Sequence, residues 1–259
     1  MDIPVVAEFC LIGLVTGVLS GLFGVGGGFI LVPLLIFAGV PIHLAVGTSL
    51  GYVTCTSMAG AYKHFINRNI HLRITTFLII ISSLTLITVG IRINRELGAE
   101  ELKGAFAGLL IATALYFSLK RRPTTESERT PDSPKDFRIK SHWYTQLILG
   151  GMVGLLSGIF GVGGGFLLVP LLVLVVKMPI KLAMGTSLFV IIFASFVGAL
   201  THAFDGNVDL SVLAPLVVGG IAGAFVGASL THRSSPKNLQ KAFTGFLFFA
   251  ALYMLYATL

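Results

Sequence analysis

A fourteen-residue segment occurs twice in the chain and constrains its fold more than any other feature. Residues 20–33 read SGLFGVGGGFILVP and residues 157–170 read SGIFGVGGGFLLVP, so the copies differ at two positions only. The similarity continues downstream, where GTSL at residues 47–50 recurs at residues 185–188. Further matched pairs are Ala45 with Ala183, Ser57 with Ser195, Gly60 with Gly198, Ala61 with Ala199, His64 with His202 and Asn69 with Asn207. Such a duplication predicts two copies of one structural unit.

The chain is too apolar for a water-soluble domain of its size. Of its 259 residues, 55% are hydrophobic and 11% are charged, whereas soluble domains carry about 25% charged residues. This composition predicts an all-α, polytopic integral membrane protein whose partner is the lipid bilayer. It argues against a secreted disulfide scaffold and against an ordinary cytosolic enzyme. The net charge of +7 does not indicate nucleic acid binding, because the basic residues lie in short loops between apolar runs.

The apolar runs divide the chain into two repeats joined by a polar linker. Repeat 1 is predicted over residues 1–119, with a hairpin at 4–38 and helices at 44–65, 74–91 and 104–119. Repeat 2 is predicted over residues 143–259, with a hairpin at 143–176 and helices at 183–204, 211–231 and 239–258. The linker, residues 120–142, is highly charged and holds three prolines, a composition typical of solvated connecting segments.

Each repeat begins with an apolar run that is too long for one membrane crossing and too short for two, since one span takes about 20 residues. A glycine cluster interrupts each run, at residues 24–28 and at residues 161–165. Glycine permits a sharp turn, so each run is predicted to form a hairpin whose second leg is half a span long. The turn should therefore lie at membrane depth, where protein must shield its backbone.

A hairpin followed by three spans leaves the two ends of a repeat on opposite sides of the membrane, so the second repeat is predicted to be inverted. With the linker in the cytoplasm, fifteen of the eighteen Lys and Arg residues fall on the cytoplasmic side, in agreement with the positive-inside rule. Parallel repeats, in which the short leg is a lone re-entrant piece, would place ten inside and eight outside. The charges favour inverted repeats.

Two half-length helices that begin inside the bilayer predict an anion site between the repeats. Their first N–H groups carry a partial positive charge, and glycine lets a ligand approach them closely. The predicted contacts are Gly26, Gly27, Gly28, Phe29, Gly163, Gly164, Gly165 and Phe166, together with the hydroxyls of Thr48, Ser49, Thr186 and Ser187. The alternatives are close helix packing for the glycines and helix capping or interhelical hydrogen bonds for the hydroxyls.

Four residues near predicted helix ends are candidates for steering anions or relaying a coupled proton: Lys63, His64, Lys181 and His202. Membrane anchoring is the alternative for the lysines, and a structural hydrogen bond is the alternative for the histidines. Glu8 is the only acid inside an apolar run and has no counterpart in the second repeat. The sequence contains no catalytic, nucleotide-binding or metal-ligand motif, which predicts a protein without enzymatic activity, cofactor or metal.

The duplicated glycine segment, the two GTSL stretches and HAFDGNVD at residues 202–209 resemble the TauE/SafE family of sulfite exporters, also called the toluene-sulfonate uptake permeases. The residues alone predict a secondary transporter that moves a small anion by alternating access. The resemblance adds that the anion is sulfite or an organosulfonate and that the membrane is the bacterial inner membrane, with proton coupling left open.

Other functions fit the same sequence. A passive anion channel, a transporter of a different small anion or sulfur compound, and a non-transporting membrane partner would each share this composition. The direction of flux, the coupling ion and the oligomeric state are not encoded in these patterns. The small residues along the helices leave room for a homodimer interface.

Overall fold

The computed structural model describes residues 3–98, 100–102, 104–105, 108–109, 111, 143–235, 238–239, 241–242 and 245. The described residues form helices joined by turns and short loops and contain no β-strand. The helices are α1 (Ile3–Phe23), α2 (Gly28–Phe37), α3 (Ile42–Ile66), α4 (Leu72–Thr85), α5 (Ile91–Glu96), α6 (Trp143–Phe160), α7 (Gly165–Leu174), α8 (Ile180–Phe204) and α9 (Leu210–Arg233). The predicted linker at 120–142 lies outside the described residues, as do most of the predicted helices at 104–119 and 239–258.

The chain is a multi-pass membrane protein. Five described helical segments are long and apolar enough to cross a bilayer: Pro4–Phe23, Thr75–Glu96, Trp143–Phe160, Ile180–Phe204 and Leu210–Thr231. Helix α3 is as long as α8, at 25 residues, but carries more small polar side chains, most of which are buried. A helix of this length extends about 37 Å at 1.5 Å per residue.

The two glycine segments form tight turns that each join a long helix to a ten-residue helix. Gly27 and Gly164 are the N-caps of α2 and α7, with φ of +82° and +69°. Glycine is the one residue type that adopts this left-handed backbone conformation at little energetic cost. A ten-residue helix spans about 15 Å, half the thickness of the hydrocarbon core of a bilayer.

The helix predicted at residues 74–91 is longer in the structure. It begins at Leu72, passes through a π-helical turn at Leu86–Gly90 and continues as α5 to Glu96. The apolar pattern ends earlier because α5 carries charged side chains. The π turn lies where Gly90 meets α6, since a β-carbon at Gly90 would lie 2.9 Å from the Cα of Gly158.

The first helix of each copy packs against a later helix of the other copy through small residues. On α1, Gly13, Gly17 and Gly21 face the backbone of α9, and a β-carbon at Gly21 would lie 2.8 Å from the amide nitrogen of Ala228. On α6, a β-carbon at Gly158 would lie 2.8 Å from the Cα of Gly90. These contacts let backbones approach closely, as is typical of membrane helix interfaces.

Helices α3 and α8, which carry the two GTSL stretches, cross at the centre and run in opposite directions. The start of α3 meets the end of α8, where a β-carbon at Gly47 would lie 2.9 Å from the Cβ of His202. The start of α8 meets the end of α3 in the same way, with 3.0 Å between a β-carbon at Gly185 and the Cβ of His64. The contacts of the two copies are therefore reciprocal.

Candidate functional site

The two glycine turns meet at the centre of the molecule. The rings of Phe29 and Phe166 stack with centroids 5.7 Å apart and an interplanar angle of 29°. A β-carbon at Gly28 would lie 2.9 Å from the Cα of Val162, and one at Gly165 would lie 2.5 Å from the carbonyl oxygen of Val25. The structure thus brings together the two sets of predicted backbone contacts, residues 26–29 and residues 163–166, and buries all of them.

The arrangement points the positive ends of two short helices at one place. The N-caps of α2 and α7 are glycines, which have no side chain to accept from the N–H groups of the first turn. Each helix N-terminus carries a partial charge of about +0.5. The sequence holds no Asp, Glu, Lys or Arg at residues 9–62, 141–176 or 182–204. These segments therefore act on the turns through their peptide dipoles and not through charged side chains.

The walls of this centre are contributed equally by α3 and α8. A β-carbon at Gly26 would lie 2.8 Å from Val53 and 3.3 Å from Ile191, and a β-carbon at Gly163 would lie 2.7 Å and 2.9 Å from the same two side chains. Val53 and Ile191 occupy equivalent positions of the two copies, 138 residues apart. Both are fully buried, so the turns are enclosed in this conformation.

Two serines that were not among the predicted contacts face the turns. The Oγ of Ser57 would lie 3.3 Å from a β-carbon at Gly26, and that of Ser195 would lie 2.9 Å from one at Gly163. Both side chains are fully buried, and neither Oγ has a hydrogen-bond partner among the residues that the structure describes. A buried polar group without a partner costs about 1–3 kcal/mol. The sequence signal that could have identified these serines is that Ser57 recurs as Ser195 at the equivalent position of the second copy.

A second pair of serines shows the same feature. Ser20 and Ser157 lie in the last turn of the first leg of each hairpin and are fully buried, and their hydroxyls lack partners within the described part of the chain. The Cβ of Ser20 would lie 3.3 Å from a β-carbon at Gly27. The surroundings of the glycine turns therefore hold four hydroxyls that are available for hydrogen bonds.

The four hydroxyls predicted from the GTSL stretches have different surroundings. Thr48 Oγ1 accepts from the backbone N–H of Asp209 at 3.0 Å, and Thr186 Oγ1 accepts from that of His71 at 3.1 Å. Ser49 Oγ donates to the carbonyl of Gly161 at 3.0 Å. Ser187 is buried, and its hydroxyl is unpartnered among the described residues. The threonines thus tie each copy to a loop of the other.

The proposed relay residues lie at the ends of α3 and α8, whereas the turns lie beside the middle of these helices. His64 and His202 are buried at the two C-terminal ends. Lys63 is half-buried in the last turn of α3, and Lys181 is half-buried in the first turn of α8. These four positions therefore differ from those of Val53 and Ile191, which face the glycine turns from the middle of α3 and α8.

A polar cluster at one end of the molecule was also not predicted. Arg95, at the end of α5, forms a two-pronged ion pair with Asp205, with Nε–Oδ2 at 3.0 Å and Nη2–Oδ1 at 2.8 Å. The neighbouring Asn94 is buried and donates from Nδ2 to the carbonyl of Ile159 at 2.6 Å. These bonds join the end of α5 to α8 and to α6.

Comparisons with known proteins agree with this architecture. The model of the family described as "Sulfite exporter TauE/SafE" matches residues 9–254. A probable membrane transporter protein of Methanocaldococcus jannaschii is 29% identical over 260 residues, covering 95% of this chain and 93% of the relative. A probable membrane transporter protein of Bacillus subtilis is 30% identical over 235 residues, covering 90% and 92%. One from Haemophilus influenzae is 30% identical over 270 residues, covering 94% and 96%.

No solved structure matches the chain significantly. The family match extends over nearly all of both hairpins and over both helices that bear the GTSL stretches. These elements form the glycine centre, the place where the turns at residues 24–28 and 161–165 meet. The relatives match along nearly their whole length and are named as membrane transporters rather than enzymes. The chain therefore belongs to the TauE/SafE family of membrane transporters.

Proposed function

We propose that this protein is a secondary transporter of small sulfur oxyanions, sulfite or an organosulfonate, with one binding site between its two glycine turns. The observation that carries the proposal is the meeting of two helix N-termini beside the hydroxyls of Ser57 and Ser195, which have no partner among the described residues. Helix N-termini bind anions through free N–H groups. Sulfite and sulfonates are compact and have several oxygens that can accept such bonds.

Each group of site residues has a distinct role in this proposal. Backbone N–H groups of Gly26, Gly27, Gly28, Gly163, Gly164 and Gly165 bind the oxyanion. Phe29 and Phe166 close the site as apolar walls. Ser187 joins Ser57 and Ser195 as a hydroxyl donor, while Ser49 holds the turn at Gly161. Thr48 and Thr186 keep the two copies in register through their bonds to the opposite loops.

The two repeats are proposed to be inverted in a bacterial inner membrane, with the linker in the cytoplasm. The opposite directions of α3 and α8 support this orientation. The loop after α3 contacts the start of α8 through His71 and Thr186, so the basic residues Lys63, Arg68, Lys177 and Lys181 belong to one end. Asp205 lies at the other end with Arg95. A cytoplasmic position of the basic end follows the positive-inside rule.

Transport is proposed to occur by alternating access. The enclosed turns correspond to a closed state, and rocking of one repeat against the other would open the centre to one side at a time. Lys63 and Lys181 would attract anions toward the cytoplasmic mouth, and His64 and His202 would exchange a coupled proton at the two ends.

The test is uptake of radiolabelled sulfite into proteoliposomes that contain the purified full chain, with and without a proton gradient. We expect uptake to saturate with sulfite concentration. We also expect unlabelled sulfite inside the liposomes to accelerate it, because such counterflow requires a site that alternates between the two sides. A steeper uptake with an inward proton gradient would support coupling. Linear uptake without counterflow would favour a passive channel. Absence of uptake by folded, inserted protein would contradict the assignment of sulfur oxyanions.

A further inference from the structure

The glycine centre has an unusual charge balance for a site that binds oxyanions. Neither a lysine nor an arginine occurs in residues 9–62, 141–176 or 182–204, which contain both hairpins and most of α3 and α8. The sequence at 104–119 and 242–259 is likewise free of charged residues and of histidine. No lysine or arginine therefore lies on either hairpin or on the parts of α3 and α8 that face the turns, and Arg95 of the neighbouring α5 is paired with Asp205.

From this balance we infer that the site selects singly charged oxyanions, such as hydrogensulfite or a monosulfonate, and rejects doubly charged ones. The inference rests on the proposed function and specifies the charge of its substrate. The two helix N-termini that meet at Phe29 and Phe166 together supply about +1 of partial charge. That amount offsets one negative charge on a ligand and leaves a second one uncompensated.

The penalty for a second charge is large in a buried site. The cost of moving an ion from water into a low-dielectric interior rises with the square of its charge, so it is about four times as large for a dianion. The donors that remain at the turns are neutral: peptide N–H groups and serine hydroxyls, among them those of Ser57 and Ser195. Neutral donors bind oxygens by hydrogen bonds but do not cancel an additional charge.

The serine hydroxyls at the turns come in equivalent pairs, one from each copy. Ser57 and Ser195 lie at equivalent positions of the two copies, each beside the second positive-φ glycine of its turn, Gly26 or Gly163. Two donors from opposite sides suit an anion group with several equivalent oxygens. The enclosing side chains Val53 and Ile191 exclude water, which would otherwise screen a second charge.

The test compares two ligands of nearly equal size on the wild-type protein. Methanedisulfonate carries two charges, and methylsulfonylmethanesulfonate carries one, because a methyl group replaces an ionised oxygen. Binding to the purified full chain is measured by calorimetry and by competition with labelled sulfite. We expect methylsulfonylmethanesulfonate and methanesulfonate to compete, and methanedisulfonate to bind at least tenfold more weakly than its monoanionic partner.

The pH dependence of sulfite binding gives an independent readout. Sulfite loses its second proton near neutral pH, so the apparent affinity for total sulfite should fall about tenfold per pH unit once the dianion dominates. Methanesulfonate stays singly charged and therefore controls for any effect of pH on the protein itself, including effects on its histidines. Its affinity should stay constant over the same range.

The two failures are distinguishable. Equal or tighter binding of methanedisulfonate than of methylsulfonylmethanesulfonate would overturn the charge selection and leave a transporter of sulfur oxyanions. Constant affinity for total sulfite across the pH range would do the same. Absence of binding by sulfite and by all three sulfonates would overturn the proposed function and the charge selection with it.

Discussion

Phe29 and Phe166 stack with their ring centroids 5.7 Å apart, although 137 residues separate them in the sequence. Each ring directly follows a glycine turn, so the contact brings two helix N-termini from different copies to one place. A single copy would supply only half of this arrangement. The duplication is therefore a requirement of the proposed site, and the predictions below test its parts separately.

The glycine turn should tolerate neither a side chain nor a change of shape. Replacing Gly27, at φ +82°, by alanine places a β-carbon 3.0 Å from the carbonyl oxygen of Thr16. Gly39→Ala is the matched control, because Gly39 has φ +85° and nothing within 4 Å of an added β-carbon. Each substitution costs about 1–2 kcal/mol of backbone strain. Sulfite uptake should be lost in Gly27→Ala and retained in Gly39→Ala; equal uptake by both would remove the turn from the site.

The unpartnered serines should affect binding more than stability. Ser57→Ala and Ser195→Ala each remove a buried hydroxyl that bonds to no described residue, so the melting temperature should stay the same or rise. Each change should weaken sulfite binding about fivefold, the equivalent of one hydrogen bond of about 1 kcal/mol. Ser229→Ala is the control, because the Ser229 hydroxyl donates to Phe225 on the exposed part of α9. Unchanged calorimetric affinities in both site variants would contradict a ligand role.

Thr48 should behave as a structural residue. Its hydroxyl accepts the backbone N–H of Asp209 at 3.0 Å, and Thr48→Val would leave that group without its acceptor at a cost of about 1–3 kcal/mol. Thr48→Ser keeps the acceptor and should keep most of the stability. The measurement is thermal unfolding of the two variants side by side. A stable Thr48→Val protein that no longer binds sulfite would instead place this hydroxyl on the ligand.

The ion pair between Arg95 and Asp205 should contribute little to stability despite its short distances. The Arg95 side chain is 50% exposed and that of Asp205 is 27% exposed. Exposed pairs contribute about 0.2–1 kcal/mol in double-mutant cycles. A cycle of Arg95→Ala, Asp205→Ala and the double variant should give a coupling energy within this range, which high salt reduces. A coupling energy several times larger would indicate that the pair is desolvated.

The sequence was most informative where the local pattern determines the structure. The glycine clusters interrupt long apolar runs, and the structure has a positive-φ turn followed by a ten-residue helix at both places. The true end of the helix predicted at residues 74–91 could not be predicted, because its continuation α5 carries charged side chains and does not extend the apolar pattern. The inverted membrane orientation and the roles of the site residues stay predictions.

Long-range contacts could not be predicted from one sequence. Thr48 and Ser57 both lie on α3, but only the rotation of α3 against the turns decides which hydroxyl faces Gly26 and which meets Asp209. The ion pair of Arg95 with Asp205 joins residues that are 110 positions apart. Such pairings depend on how the copies dock, which is not encoded in any local periodicity.

The stoichiometry of sulfite binding to the purified protein tests the central claim most directly. A site shared by the two turns predicts one anion per chain, and the Ser57→Ala/Ser195→Ala double variant should keep this stoichiometry with about 30-fold weaker affinity, the sum of two bonds of about 1 kcal/mol. Two anions per chain, or an affinity that the double variant leaves unchanged, would contradict a single site between the glycine turns.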